Sequence, residues 1–246
     1  MAGVGLRQRG VIPRRPLQPD PTHPLAAGLV FCQFSGNEQG RAGGSGMSWG
    51  QSPYGRASTT SDSTSAYAVV LRRKWEAMSD WTLHCLVRIT SIDTGWGSPF
   101  EIPYAPQSGS WSPPYHAFLL SQNSGSPYPG TGVNNGAGTY VSLNLGSGSY
   151  MLKDGAWHSY TVAWGGRGAV WWRDGVQFAT HATTAGVTNP TVSGTPELVF
   201  GGRSASITGE GYAGAGVCSA MWGRRLSDVE VSMAHADLFE MFRDGR

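Results

Sequence analysis

Residues 154–182 read DGAWHSYTVAWGGRGAVWWRDGVQFATHA, and this stretch constrains the fold most. Asp154-Gly155 and Asp174-Gly175 are turn dipeptides, because Gly accepts a positive φ and Asp hydrogen-bonds its own backbone. Between them the side chains alternate. His158, Tyr160, Val162 and Trp164 fall on one face, and Trp157, Ser159, Thr161 and Ala163 on the other. Gly165 to Ala169 is a short hairpin connection, which joins antiparallel strands. His158 sits between two aspartates in sequence, so catalysis is worth asking about. The two-residue period favours a packed strand histidine instead.

The same texture extends over most of the chain. Strands are expected at 25–34, 65–71, 81–90, 115–122, 139–146, 157–164, 169–175, 176–184, 197–202 and 212–223. In WTLHCLVRIT, Trp81, Leu83, Cys85, Val87 and Ile89 share one face, and Thr82, His84, Arg88 and Thr90 the other. Leu86 interrupts that polar face, as expected if something covers it. Among 246 residues, 36 Gly and 15 Pro suit many short strands joined by turns rather than long helices. Residues 91–135 are the least regular and read as long loops around a strand at 115–122. One helix closes the chain. Ser227 and Glu230 form a capping box, and Val231, Ala234, Leu238, Met241 and Phe242 recur at helical spacing.

Residues 1–24 differ. They carry Arg7, Arg9, Arg14 and Arg15 against one acid, Asp20, and prolines from Pro13 to Pro24. Proline blocks helix interiors and central strands, so the segment reads as an extended arm ahead of a domain at 25–246. Val4, Leu6, Val11, Ile12 and Leu17 among the arginines favour an arm that orders on a partner. The start lacks the apolar core of a signal peptide, and no run nears 18 apolar residues. A net charge of +2 is too mild for a nucleic-acid binder.

Catalytic signatures are weak. A glycoside hydrolase needs two carboxylates flanking the scissile bond. Glu101, Glu197 and Glu210 are isolated, and Asp228 and Glu230 belong to the helix start. Ser48 in GMSWG fits G-x-S-x-G only formally, since a Gly/Ser loop surrounds it where a strand and a helix are needed. Cys32, Cys85 and Cys218 lie in apolar runs without zinc spacing and read as buried thiols, although one pair could be bridged. No cofactor is expected. Asp93, Asp154 and Asp174 sit in turns that could contribute to a structural calcium ion, but nothing demands one. Trp96, Tyr104, Trp111, Tyr115 and Tyr128 lie in the irregular region and could stack on sugar rings or line an interface.

DGAWHSYTVAW, VWWRDGVQF, LVFGGR and GYAGAGVCSAMWGRRLSDVEV together resemble the laminin-G-like branch of the concanavalin A-like jelly rolls. Arg224 to Glu230 is similar to the family's closing "R-x-L-S-x-x-E". HPLAAGLV (23–30) resembles the "N-P-L-x-x-G-L-V" opening of such proteins from tailed phages, with His23 in place of Asn. LFEMFRD (238–244) resembles their "P-W-Q-L-F" tail without its proline and tryptophan. The resemblance implies an all-β, antiparallel jelly-roll sandwich with a short C-terminal helix and an extended N-terminal arm. It also implies a non-enzymatic structural protein of a phage virion, a capsid-surface decoration or head protein. The four arm arginines would bind capsid or other virion proteins. A homo-oligomer is expected, with no nucleic acid or membrane partner, located in a virion assembled in the host cytoplasm. The alternative is a carbohydrate-binding adhesin of a phage tail or cell surface, with a host glycan as partner.

Overall fold

The structure, a computed structural model, describes residues 18–34, 41–43, 47–60, 67–72, 78–92, 96–103, 116–123, 129–134, 140–144, 154–165, 168–182, 197–200 and 212–242. These form two antiparallel sheets. The first runs β13 (Val176–Ala182), β12 (Gly168–Arg173), β11 (Trp157–Gly165), β6 (Trp81–Ile92), β15 (Tyr212–Trp222), β4 (Gly55–Thr60), β3 (Met47–Ser52), and β1 (Leu29–Phe34) also pairs with β15. The second runs β10 (Tyr140–Asn144), β9 (Pro129–Asn134), β8 (His116–Asn123), β7 (Trp96–Pro103), β14 (Glu197–Phe200), β5 (Tyr67–Arg72), β2 (Arg41–Gly43). Helix α1 (Asp228–Asp237) continues as a 3-10 turn, Leu238–Phe242, and another 3-10 turn, Pro24–Ala26, precedes β1.

The register shows why the first sheet dominates. Trp164 pairs with Trp81, Val162 with Leu83 and Tyr160 with Cys85. All six are buried. Trp81 and Trp164 stack with ring centroids 6.0 Å apart and planes 4° from parallel. This face points to the second sheet, and β6 and β15 approach β7 there. The opposite face carries Thr82, His84, Leu86, Ser159, Thr161, Ala163, Val170, Trp172, Ala220 and Trp222, and it too is buried. Leu25, Leu226, Val231, Ala234, Leu238, Met241 and Phe242 cover it. The break in polarity at Leu86 thus marks the cover that the sequence pattern implied. A half-wet sheet would alternate cleanly, whereas one covered on both faces does not.

Arg224 ties the cover together. Its Nε donates to the Ala27 carbonyl at 2.7 Å and one terminal nitrogen to the Pro24 carbonyl at 3.0 Å. Its two terminal nitrogens also grip Glu230, at 2.6 and 3.0 Å. Glu230 accepts from the Ser227 N–H at 2.9 Å, and Ser227 Oγ accepts from the Glu230 N–H at 3.3 Å, completing the capping box. The closing motif is therefore one clamp between the helix start and the first turn of the domain. The Arg224 guanidinium holds the Glu230 carboxyl at a pKa of about 2. That stability is present above the ordinary carboxylate range and is lost as pH falls toward 2. The indole Nε1–H of Trp222 donates to the Leu25 carbonyl at 2.6 Å. Thr82 Oγ1 donates to the Arg224 carbonyl and accepts from the Leu226 N–H, both at 2.9 Å. Residues 18–24 lie against the same cover, where the Asp20 N–H donates to the Met241 carbonyl at 2.7 Å.

Three expectations change. Residues 91–135 contain β7 and β9 as well as β8. Residues 47–60 form the β3–β4 hairpin, paired from Met47 with Thr60 to Ser52 with Gly55, so Ser48 is on a strand rather than in a loop. A second strand follows it, not the helix that a nucleophile elbow requires. Backbone pairing stabilises these Gly- and Ser-rich strands without an apolar alternation that could announce them. Residues 25–28 are not strand, because Pro24 opens a 3-10 turn and Gly28 takes φ +71°.

Arg224→Met removes a bidentate ion pair and two carbonyl contacts. We expect a loss of about 2 kcal/mol, a fall in Tm of roughly 5 °C. Exposed Arg225→Met should change Tm by less than about 2 °C. Equal Tm values for the two variants in calorimetry would remove the clamp from this account.

Candidate functional site

The turn aspartates meet at one end of the first sheet. Asp174 and Gly175, at φ +53° and +75°, form the two-residue connection of β12 to β13. Positive φ at both positions is the primed hairpin geometry, for which Asp-Gly is suited. Asp174 Oδ1 accepts from the Ser159 N–H at 3.0 Å, and the Asp174 N–H donates to the Ser159 carbonyl at 2.9 Å. Asp174 Oδ2 lies 2.7 Å from His158 Nδ1. On the other side of the ring, both Asp154 oxygens lie 3.2 Å from His158 Nε2. Asp154 also accepts from the Ala156 N–H at 2.9 Å. That backbone bond, with smaller help from His158, keeps its carboxyl below the usual range. The imidazole thus staples two turns. Its side chain is 13% exposed, against 48% for Asp154 and 37% for Asp174.

Beside the staple lies an aromatic pair. Tyr54, at the tip of the β3–β4 hairpin, meets Trp157 edge-on, with centroids 5.7 Å apart and planes at 79°. Trp157 pairs across the sheet with Arg88, whose Cζ stands 5.8 Å from the indole centroid. This is cation–π distance. Arg88 Nε is buried without an acceptor. Burial first, and then the Asp174 charge, raise the Tyr54 phenol. Tyr54, Arg88 and Trp157 are all half-buried.

Behind this cluster, helix α1 meets the sheet through polar contacts. Ser159 Oγ and His235 Nδ1 lie 2.8 Å apart, and within the sheet His84 Nδ1 of β6 and Thr161 Oγ1 of β11 are also 2.8 Å apart. A Cβ on Gly175 would meet the His235 ring at 3.1 Å and strain a backbone at φ +75°, so glycine suits the turn beneath the helix. Burial, aided by His235, lowers the His84 pKa to about 3. Burial also lowers His235, with Asp174 opposing.

Most residues named from sequence for binding are not among those described. Arg7, Arg9, Arg14 and Arg15 are outside the described residues, as are Tyr104, Trp111, Tyr115, Tyr128, Asp93 and Glu210. Trp96 opens β7, where the backbone alone is described. Glu101 and Glu197 sit on β7 and β14, joined through the Glu101–Val199 pairing. Asp228 and Glu230 belong to the helix start, as expected. Cys32, Cys85 and Cys218 are free, and burial raises all three thiols. Among the described residues no group of three His, Cys, Asp or Glu is placed to hold a metal, and Asp154 and Asp174 instead engage His158. Nor does any described helix have the length and apolarity to cross a membrane. Sequence reading did not bring Tyr54 and Arg88 to this cluster. The turn signal SPYG was there, but not the partner 103 residues away.

No protein-family model and no curated protein sequence matches the chain. Solved structures do. The binding domain of Paraclostridial Mosquitocidal Protein 1 superposes with a TM-score of 0.55 at 10% identity, over 85% of this chain and 52% of that one. The leech intramolecular trans-sialidase gives 0.53 at 14% identity, over 80% of this chain and 28% of that one. The CBM40 domain of the Ruminococcus gnavus IT-sialidase, bound to α2,3-sialyllactose, gives 0.50 at 14% identity, over 64% of this chain and 83% of that one. The chain is a jelly-roll sandwich. At these identities the likeness is one of fold. The jelly roll spans only about half of the toxin domain and about a quarter of the leech enzyme.

Buried His84 gives the jelly roll a pH dependence. The unfolded chain takes up a proton near pH 6.5, which the folded chain refuses until about 3. Stability therefore falls by up to about 1.4 kcal/mol for each pH unit below 6.5. His84→Asn should flatten the fall in Tm between pH 7 and 5.5, whatever it costs at pH 7. An unchanged slope would contradict the assignment.

Proposed function

We propose that this chain is a non-catalytic jelly-roll module that binds glycans. The likeness to a CBM40 domain bound to sialyllactose carries this reading, since both chains are largely covered by the match. The likeness to a toxin's binding domain agrees with a binding module, without naming a ligand. The described site agrees in kind. It offers aromatic rings, carboxylate acceptors and a guanidinium, the groups that sugars use; His158 is engaged by two carboxylates, and the Ser159 hydroxyl that meets His235 is buried beneath helix α1.

The leader favours a second reading that is compatible with the first. Arg7, Arg9, Arg14 and Arg15 among prolines and apolar residues suit an arm docking on an acidic protein surface. With the phage-type opening HPLAAGLV, this supports a module displayed on a virion, as a capsid decoration or tail adhesin, in several copies. The partners would then be virion proteins through the arm and host glycans through the jelly roll.

An oligosaccharide array probed with the full chain tests the first reading. Saturable binding to a defined glycan set, at the micromolar to millimolar affinities of single modules, is expected. Absence of binding across the array, with the chain incorporated into particles, would leave only the structural role.

A further inference from the structure

The cluster at the end of the first sheet has features that the staple does not use. Arg88 makes no ion pair among the described residues, where the pairs are His158 with Asp154 and Asp174, and Arg224 with Glu230. A guanidinium carries five donors and no acceptor, so Arg88 can receive hydrogen-bond acceptors from a ligand. Its Nε is already shut off from water without an acceptor. Trp157 holds this cation at 5.8 Å, and Tyr54 holds Trp157 edge-on. Both rings keep part of their surface in water. Asp174, 37% exposed, is held on the strand that carries Trp157, with each oxygen fixed by one bond, to Ser159 N or His158 Nδ1. Each carboxylate oxygen has a second lone pair.

We propose that Tyr54, Arg88, Trp157 and Asp174 form a subsite for an uncharged pyranose residue of a glycan. The proposal rests on the glycan-binding reading and deepens it. A pyranose carries hydroxyls that donate to a carboxylate and accept from a guanidinium, and an apolar face of C–H groups that packs on an aromatic ring. Asp174 takes the first, Arg88 the second, and the Tyr54–Trp157 pair the third. Charge decides the sugar class. Asp154 and Asp174 flank His158, the residue after Trp157, while Arg88 stands on Trp157, so an acidic sugar at this end of the sheet would meet two carboxylates for one guanidinium. The parts come from three elements brought together only by folding: the β3–β4 hairpin tip, the β6–β11 pair and the β12–β13 turn. His158 acts as a positioning residue, because it fixes Asp174 without facing the sugar.

The test uses the full chain, titrated with lactose, cellobiose and diacetylchitobiose as uncharged probes, and with sialyllactose and a glucuronate disaccharide as charged ones. Binding of an uncharged probe that weakens about tenfold or more in both Tyr54→Ala and Arg88→Gln, with Tm retained, is expected. Should either variant fold poorly, the Trp157 indole N–H of the unaltered chain is followed by NMR, assigned from its absence in Trp157→Phe, and it should shift on binding. Uncharged binding that both variants retain, with an unmoved Trp157 signal, overturns the subsite and leaves the glycan-binding reading standing. Binding confined to the charged probes overturns the sugar class alone. If a broad array also stays silent, both fail.

Discussion

The structure depends on burying the first sheet on both faces. Four tryptophans, Trp81, Trp164, Trp171 and Trp222, have 0–1% of their surface exposed, and three of them point to the second sheet. Trp222 points the other way and can be buried only if the chain's later and earlier ends come back over it. Leu25 and the residues around helix α1 do so. Each large aromatic removes on the order of 150–250 Å² from water, so losing the cover would expose Trp172 and Trp222 at a cost of several kcal/mol. The bonds of Arg224, Thr82 and the Trp222 indole satisfy the polar groups that this cover would otherwise strand.

This dependence also positions the site. Gly175 fits beneath His235, which bonds Ser159, and Ser159 in turn holds Asp174 through its N–H. The helix thereby supports the turn that presents the carboxylate. Rigid support of this kind suits a site that recognises rather than one that must move, since a preformed arrangement spends less ordering entropy on its ligand.

Strands whose faces differ in polarity were legible in the sequence. The pattern of Trp81 to Ile89 and the alternation of Trp157 to Trp164 gave the face of each side chain but not the pairing of the strands, and Leu86 gave the presence of a cover. The capping box at Ser227 and Glu230 placed the helix start to the residue, while its last part, Leu238–Phe242, tightens into a 3-10 turn. What stayed hidden was structure held by pairing alone. Ser48 and its neighbours form a hairpin with almost no apolar pattern, and β7 and β9 lie among prolines and glycines. The site was half legible: Asp154, His158 and Asp174 announce themselves as turn residues and a strand histidine. Their convergence on one imidazole, and the arrival of Tyr54 and Arg88, follow from long-range topology that no local spacing encodes.

Native-state hydrogen exchange on the full chain measures the central claim most directly, because it reads the opening free energy of each element separately. If the cover is integral, amides of α1 should open with the same free energy as those of β6, β11 and β15, in one cooperative unit. Exchange of α1 through a cheap separate opening, with the sheet still protected, would show that the first sheet stands without its cover and would contradict the account.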